Sequence, residues 1–238
     1  MSVLATEARP VLVTGASGFL GGALGRSLRS VGYVVTGVSR RGARSGATDQ
    51  HRQHDLSLPL PRDVSRYDVV VHAAALTSPG ARPADYKTHI IDGTQHVLDY
   101  AERTKVGCFV LISTTAVFYV LDNQFGITKE MDFPFEPVNE YAAAKRQAEK
   151  MVLERWPDCL IIWPRAIYGP GDTVLFPRTL NAARKGVLPQ IVRPDGATAR
   201  RIWFTSATLF GRLNALCVLG FRAALTSRTL ALKTHTLC

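Results

Sequence analysis

Residues 11–22 read Val-Leu-Val-Thr-Gly-Ala-Ser-Gly-Phe-Leu-Gly-Gly. A short apolar run stops at Thr14, glycines stand at Gly15, Gly18 and Gly21, and a helical pattern then begins. Strand, glycine turn and helix start form the order that a dinucleotide pyrophosphate needs. Gly15 allows the tight turn, Gly18 lets backbone approach phosphate, and Gly21 lets the helix pack against the sheet. The N–H groups of the helix start then face the anion. The same glycine spacing also occurs in ordinary strand-to-helix turns, so its meaning depends on what accompanies it.

The rest of the chain alternates in the same manner. Strands are expected at residues 10–13, 33–38, 68–73, 108–113 and 159–163, and helices at 18–31, 85–105 and 139–155. Leu20, Leu24 and Leu28 recur at four-residue spacing in the first helix, and Val97, Leu98 and Ala101 form the buried face of the second. Unbroken apolar strands alternating with helices imply a parallel sheet covered on both faces. Right-handed crossovers give an α/β, doubly wound, Rossmann-like fold, with its ligand crevice at the carboxyl ends of the strands.

The formal net charge of +10 would suit nucleic acid, but its distribution points elsewhere. Six of the 29 basic residues and none of the 19 acids lie in residues 196–238. The excess therefore sits largely in the tail, with no helix-spaced basic stripe. The four cysteines, Cys108, Cys159, Cys217 and Cys238, have no metal-binding spacing. Cys108 and Cys159 open apolar runs and read as buried thiols, which fits a reducing, cytoplasmic setting. No metal site, secretory signal or membrane span is expected.

Tyr141-Ala-Ala-Ala-Lys145 lies in the helix at 139–155. Residues four apart share a helix face. A neighbouring ammonium favours the phenolate and is expected to lower the phenol from its ordinary value near ~10. The tyrosine could then exchange a proton with a substrate hydroxyl or carbonyl. Ser113-Thr114-Thr115-Ala116-Val117-Phe118 closes the fourth strand and sets hydroxyls at the same sheet edge. Each motif also has a plain structural reading, a solvated helix pair and a capped strand end.

Taken together, residues 9–203 resemble the short-chain dehydrogenase/reductase superfamily, in its extended, NAD(P)-dependent epimerase/dehydratase branch. The motifs are Thr14-Gly15-Ala16-Ser17-Gly18-Phe19-Leu20-Gly21, Ser113-Thr114 with Val117-Phe118, and Tyr141 with Lys145. The resemblance implies catalytic roles for Thr114, Tyr141 and Lys145, with Thr115 as the fallback hydroxyl. His54-Asp55-Leu56 resembles the branch's segment whose aspartate meets adenine. Ala73 and Ala74, after His72, resemble its loop beside the adenosine ribose. The implied cofactor set is Gly15, Ser17, Gly18, Phe19, Leu20, Gly21, Arg40, Asp55, Leu56, Ala73, Ala74, Tyr141 and Lys145. Tyr168-Gly169-Pro170-Gly171-Asp172, with the segment 183–189, is most similar to the 3β-hydroxysteroid dehydrogenase-like members.

The second strand ends in Val38-Ser39-Arg40-Arg41, where NAD binders usually place an acid. Arginine suits a 2′-phosphate, so NADP(H) is favoured over NAD(H). Two positions depart from the branch: Trp163 stands where arginine is usual, and Tyr119 where glycine is usual. Past residue 204 the match ends, which predicts a dinucleotide-binding domain at 1–165 and an incomplete substrate subdomain at 166–238. The leading expectation is hydride transfer between nicotinamide and a small hydroxyl or carbonyl substrate. A nucleotide-sugar epimerase/dehydratase and a non-catalytic dinucleotide-binding protein are the alternatives. A homodimer is also implied by the resemblance.

Overall fold

The computed structural model describes residues 9–187, apart from 63, 64, 79, 123, 125, 126 and 129, together with the backbone of 204–205. The expected tail region, with Cys217 and Cys238, lies outside the described residues.

Six parallel strands form one sheet. They are β1 (Pro10–Thr14), β2 (Val34–Ser39), β3 (Gln50–Gln53), β4 (Val69–His72), β5 (Cys108–Ile112) and β6 (Leu160–Ile162), in the order β3-β2-β1-β4-β5-β6. The order reverses between β1 and β4, so the chain switches sides there and opens a crevice at the strands' carboxyl ends. Helix α1 (Phe19–Ser30) covers one face. It buries Ala23, Leu24 and Leu28 against Val11, Val13, Val35, Val69 and Val71. Helices α3 (Gly93–Arg103) and α4 (Glu140–Arg155) cover the other face. There Val97, Leu98, Ala101 and Val152 meet Leu12, Val70, Phe109 and Leu111. Alternate strand residues thus feed two cores, which is why these strands read as continuous apolar runs. Each Val, Leu or Phe among them, fully buried, contributes about 1.5–3 kcal/mol.

Three sequence expectations change. The strand β3 is not among those expected: Gln50-His-Arg-Gln53 lacks any apolar pattern because it is the sheet's edge and, among the described residues, only β2 pairs with it. The helix expected at 85–105 begins earlier, in a short α2 (Pro83–Tyr86). It widens into a π-helical turn over Lys87–Asp92 before continuing as α3. Cys159 is buried, whereas Cys108 is only half-buried. A short pair, β7 (Ile167–Tyr168) with β8 (Phe204–Thr205), and α5 (Leu175–Arg184) follow the sheet.

Candidate active site

The glycine turn is built as its spacing requires. Gly15 takes φ +70°, and a Cβ there would stand 2.9 Å from the Ala74 Cα. A Cβ on Gly21 would stand 2.3 Å from the Gly15 carbonyl oxygen, so only glycine lets α1 start this close to the turn. The first turn of α1 carries no acidic residue. Its unpaired N–H groups and the positive end of its dipole suit an anion.

A hydrogen-bonded chain fixes the neighbouring loop. Thr94 Oγ1 donates to the Ile90 carbonyl at 2.6 Å, so it accepts from His72 Nε2 at 3.1 Å. His72 Nδ1 then accepts from Thr14 Oγ1 at 2.7 Å, and Thr14 Oγ1 accepts the N–H groups of Ala73 and Ala74, both at 3.1 Å. The chain ties the end of β1, the loop after β4 and the π-helical turn into one unit. His72 is 1% exposed, and burial, helped by the charge on Lys145, pushes it down to about 3. The unfolded ring takes a proton below its ordinary 6.5, while the folded ring resists until about 3. Stability therefore falls as pH drops through that window. In thermal melts, a His72→Asn variant, which has no ring to protonate, is expected to lose Tm less steeply over that range than the unmodified protein.

Asn139 caps α4, its side chain accepting the Ala142 N–H at 2.9 Å, which is worth about 1 kcal/mol. The cap fixes where the helix begins and so where Tyr141, in its first turn, emerges. Thr114 closes the other side. Ser113 N donates to the Ile162 carbonyl at 2.7 Å and Thr115 N to that of Pro164 at 3.2 Å, extending β5 past its end. The Thr114 side chain lies near enough to the Tyr141 phenol to draw it downward. The Tyr86 ring packs 6.1 Å from that of Tyr141.

The electrostatics of the pair differ from the expectation. Burial pushes the Tyr141 phenol up to about 12, helped by Tyr86; the Thr114 side chain works the other way, and Lys145 is not among the groups that shift it. Lys145 is 2% exposed and donates from Nζ to the Ile112 carbonyl at 2.7 Å. Burial pulls it down to about 8, against the charge of Glu149. Spacing put the two side chains on one face, but desolvation sets the direction of the phenol's shift.

All fourteen residues expected at the site line one crevice of about 1180 Å³. Gly15, Ser17, Gly18, Phe19, Leu20 and Gly21 form one wall. Arg40, Asp55, Leu56, Ala73 and Ala74 lie at the same crevice, and Thr114, Tyr141 and Lys145 bring the hydroxyl, phenol and amine to it. Burial opposes ionisation of Asp55, but hydrogen bonds from Ser57 and the charges of Arg40 and His89 hold its carboxyl below the usual range. Sequence reasoning missed Arg44, whose Nε donates to the Ser17 carbonyl at 3.0 Å. It also missed the lining role of Tyr119, whose hydroxyl pairs with Thr115 Oγ1 at 2.8 Å. Among the described residues no cluster of His, Cys, Asp and Glu could hold a metal ion, and no helix is long and apolar enough to cross a membrane.

The profile of the NAD dependent epimerase/dehydratase family matches residues 11–206. A 2-alkyl-3-oxoalkanoate reductase from Shewanella oneidensis is 28% identical over 211 residues, covering 82% of this chain and 54% of the relative. A 4-hydroxy-2-methyl-3-oxo-4-farnesyl-3,4-dihydroquinoline-1-oxide ketoreductase from Stigmatella aurantiaca is 33% identical over 186 residues, covering 72% and 54%. A 3beta-hydroxysteroid-dehydrogenase/decarboxylase isoform 2 from Arabidopsis thaliana is 33% identical over 165 residues, covering 63% and 28%. Among solved structures, the NAD dependent NDP-hexosamine 5,6-dehydratase TunA superposes with a TM-score of 0.72 at 28% identity, covering 88% of this chain and 72% of that one. The chain spans about half the length of the first two curated relatives.

Proposed function

The chain belongs to the NAD dependent epimerase/dehydratase family, and on that premise we propose that it binds NADP(H) and reduces the carbonyl of a small-molecule substrate, or oxidises the matching alcohol. The observation that carries the reading is the convergence of Thr114, Tyr141 and Lys145 on the crevice that the glycine turn also lines. The residues fit the cofactor: the Gly15 turn and the Gly21 contact leave backbone where a pyrophosphate would lie, and no acid opposes it in the first turn of α1. When bound, the nicotinamide supplies or takes up hydride.

The chain's own groups do the rest. Thr114 orients the substrate oxygen, and Tyr141 gives that oxygen a proton in reduction or removes it in oxidation. Lys145 holds the nicotinamide ribose. Residues 164–167 and 172–175 line the crevice too, which supports a substrate region beginning near residue 166 after a dinucleotide-binding domain at 1–165. A ketone substrate also agrees with the reductase names of the relatives.

The cofactor preference rests on Arg40, which lines the crevice after β2 where no acid stands. NADPH is expected to bind more tightly than NADH in fluorescence titration, and Arg40→Ala to weaken NADPH alone, by about tenfold, for loss of one charge-assisted contact. Equal affinity for both cofactors would remove the preference.

The second reading, a nucleotide-sugar dehydratase or epimerase, draws on the likeness to TunA at 28% identity. Mass spectrometry of the native protein separates the two. A cofactor that stays bound and is never consumed supports the second; stoichiometric NADPH loss with ketones supports the first. Cofactor binding without turnover of either substrate class would leave a dinucleotide-binding protein. A cytoplasmic setting and a homodimer belong to this proposal as well.

A further inference from the structure

Helix α4 carries Tyr141, Lys145 and Glu149 at four-residue steps, so the three share one face. The first two line the crevice, and Glu149 lies one turn further in, 1% exposed. Its Oε1 accepts from Ser113 Oγ and, at 3.0 Å, from Trp163 Nε1. Its Oε2 has no hydrogen-bond partner among the described residues. A buried carboxyl with an unsatisfied oxygen is expensive and calls for a reason. The hydroxyl and indole that hold it are both neutral donors. Two cations act on it, Lys145 and Arg146, both from its own helix.

We infer that Glu149 is a positioning residue: its carboxylate, clamped by Ser113 and Trp163, holds the Lys145 ammonium charged and seated beneath the cofactor crevice. The inference rests on the reading of Lys145 as the group that grips the nicotinamide ribose. Lys145 needs such a charge nearby because it is itself buried and the group it donates to, the Ile112 carbonyl, is neutral. His72, facing Lys145 from β4, is neutral through its own burial and adds no competing charge. Cys159, just before β6, is a thiol that burial and the charge of Glu149 keep protonated. Burial holds the Glu149 carboxyl above the usual carboxylate range, and Ser113, Trp163, Lys145 and Arg146 draw it only part of the way back. Trp163 is the residue that departs from the family pattern. An arginine there would put a third cation against the carboxylate, whereas indole holds it without dividing its charge.

The test is a pH titration of Lys145 in the full chain, followed by NMR of isotope-labelled lysine, with Lys145→Arg to assign the signal. The unmodified protein is expected to titrate near 8. Glu149→Gln keeps size and hydrogen bonding but removes the charge, and should move that midpoint down by about one pH unit or more. Trp163→Phe removes the indole donor, leaves the carboxyl easier to protonate, and should move it the same way by less. NADPH affinity in Glu149→Gln should fall at lower pH than in the unmodified protein. An unchanged Lys145 midpoint in either folded variant overturns the inference. If Glu149→Gln does not fold, the Trp163→Phe titration decides alone. Because the titration needs no turnover, an inactive protein with the expected shifts would defeat the proposed function and leave the role of Glu149 standing.

Discussion

Tyr141→Phe is expected to lower kcat for carbonyl reduction by about 10²- to 10⁴-fold, the range for loss of a general acid. Thermal stability and NADPH affinity should change little, because the ring keeps its packing against Tyr86 and only the hydroxyl near Thr114 is lost. Stopped-time NADPH oxidation with a ketone panel measures the first, and melting curves with fluorescence titration the others. Full activity in the variant would remove Tyr141 from the mechanism. The direction of the phenol's shift adds a second expectation. Burial holds it up to about 12, so at neutral pH it keeps its proton and is poised to donate one. Reduction should therefore be flat through neutral pH and decline as Lys145 loses its proton near 8. Alcohol oxidation, which needs the phenol to accept, should be slower than reduction at neutral pH.

Gly21→Ala is expected to weaken dinucleotide binding by about 5- to 150-fold, as follows from about 1–3 kcal/mol of overpacking. A methyl at this position would stand 2.3 Å from the Gly15 carbonyl oxygen, which is backbone and has no rotamer to escape into. Either α1 moves away from the turn or the turn opens. Both displace the N–H groups that would meet a phosphate. Calorimetry with NADPH reads the loss directly, and Gly32→Ala is the natural control. Gly32 lies just beyond α1 with no atom near its would-be Cβ, so its φ of +92° leaves only backbone strain. That control should melt earlier yet bind normally. Unimpaired binding by Gly21→Ala would show that the glycine turn is not where the cofactor lies.

Much of the fold is legible in the amino-acid sequence. The strands β1, β2, β4, β5 and β6 fall within a residue or so of where the apolar runs placed them, because buried parallel strands must be apolar on both faces. The edge strand β3 was hidden, since Gln50, His51, Arg52 and Gln53 owe their pairing to β2 and not to burial. The π-helical turn at Lys87–Asp92 was hidden for another reason. It is an adjustment of helical winding, and apolar spacing over six residues does not resolve a change of one residue per turn. Glu149 was legible as a residue four past Lys145, but four-residue spacing marks a solvent-exposed ion pair equally well.

The order of residues by itself determined the sheet, its glycine turn and the motifs that gather at its carboxyl edge. Those depend on local chain geometry and on periodic burial, which sequence carries directly. Only the tertiary structure decided how those groups are charged. It buried Tyr141 and Lys145, turned His72 into a neutral link between three segments, and set Glu149 beneath the lysine. Charge in a folded protein follows from desolvation and from which distant segments meet, and neither is written in the spacing along one helix.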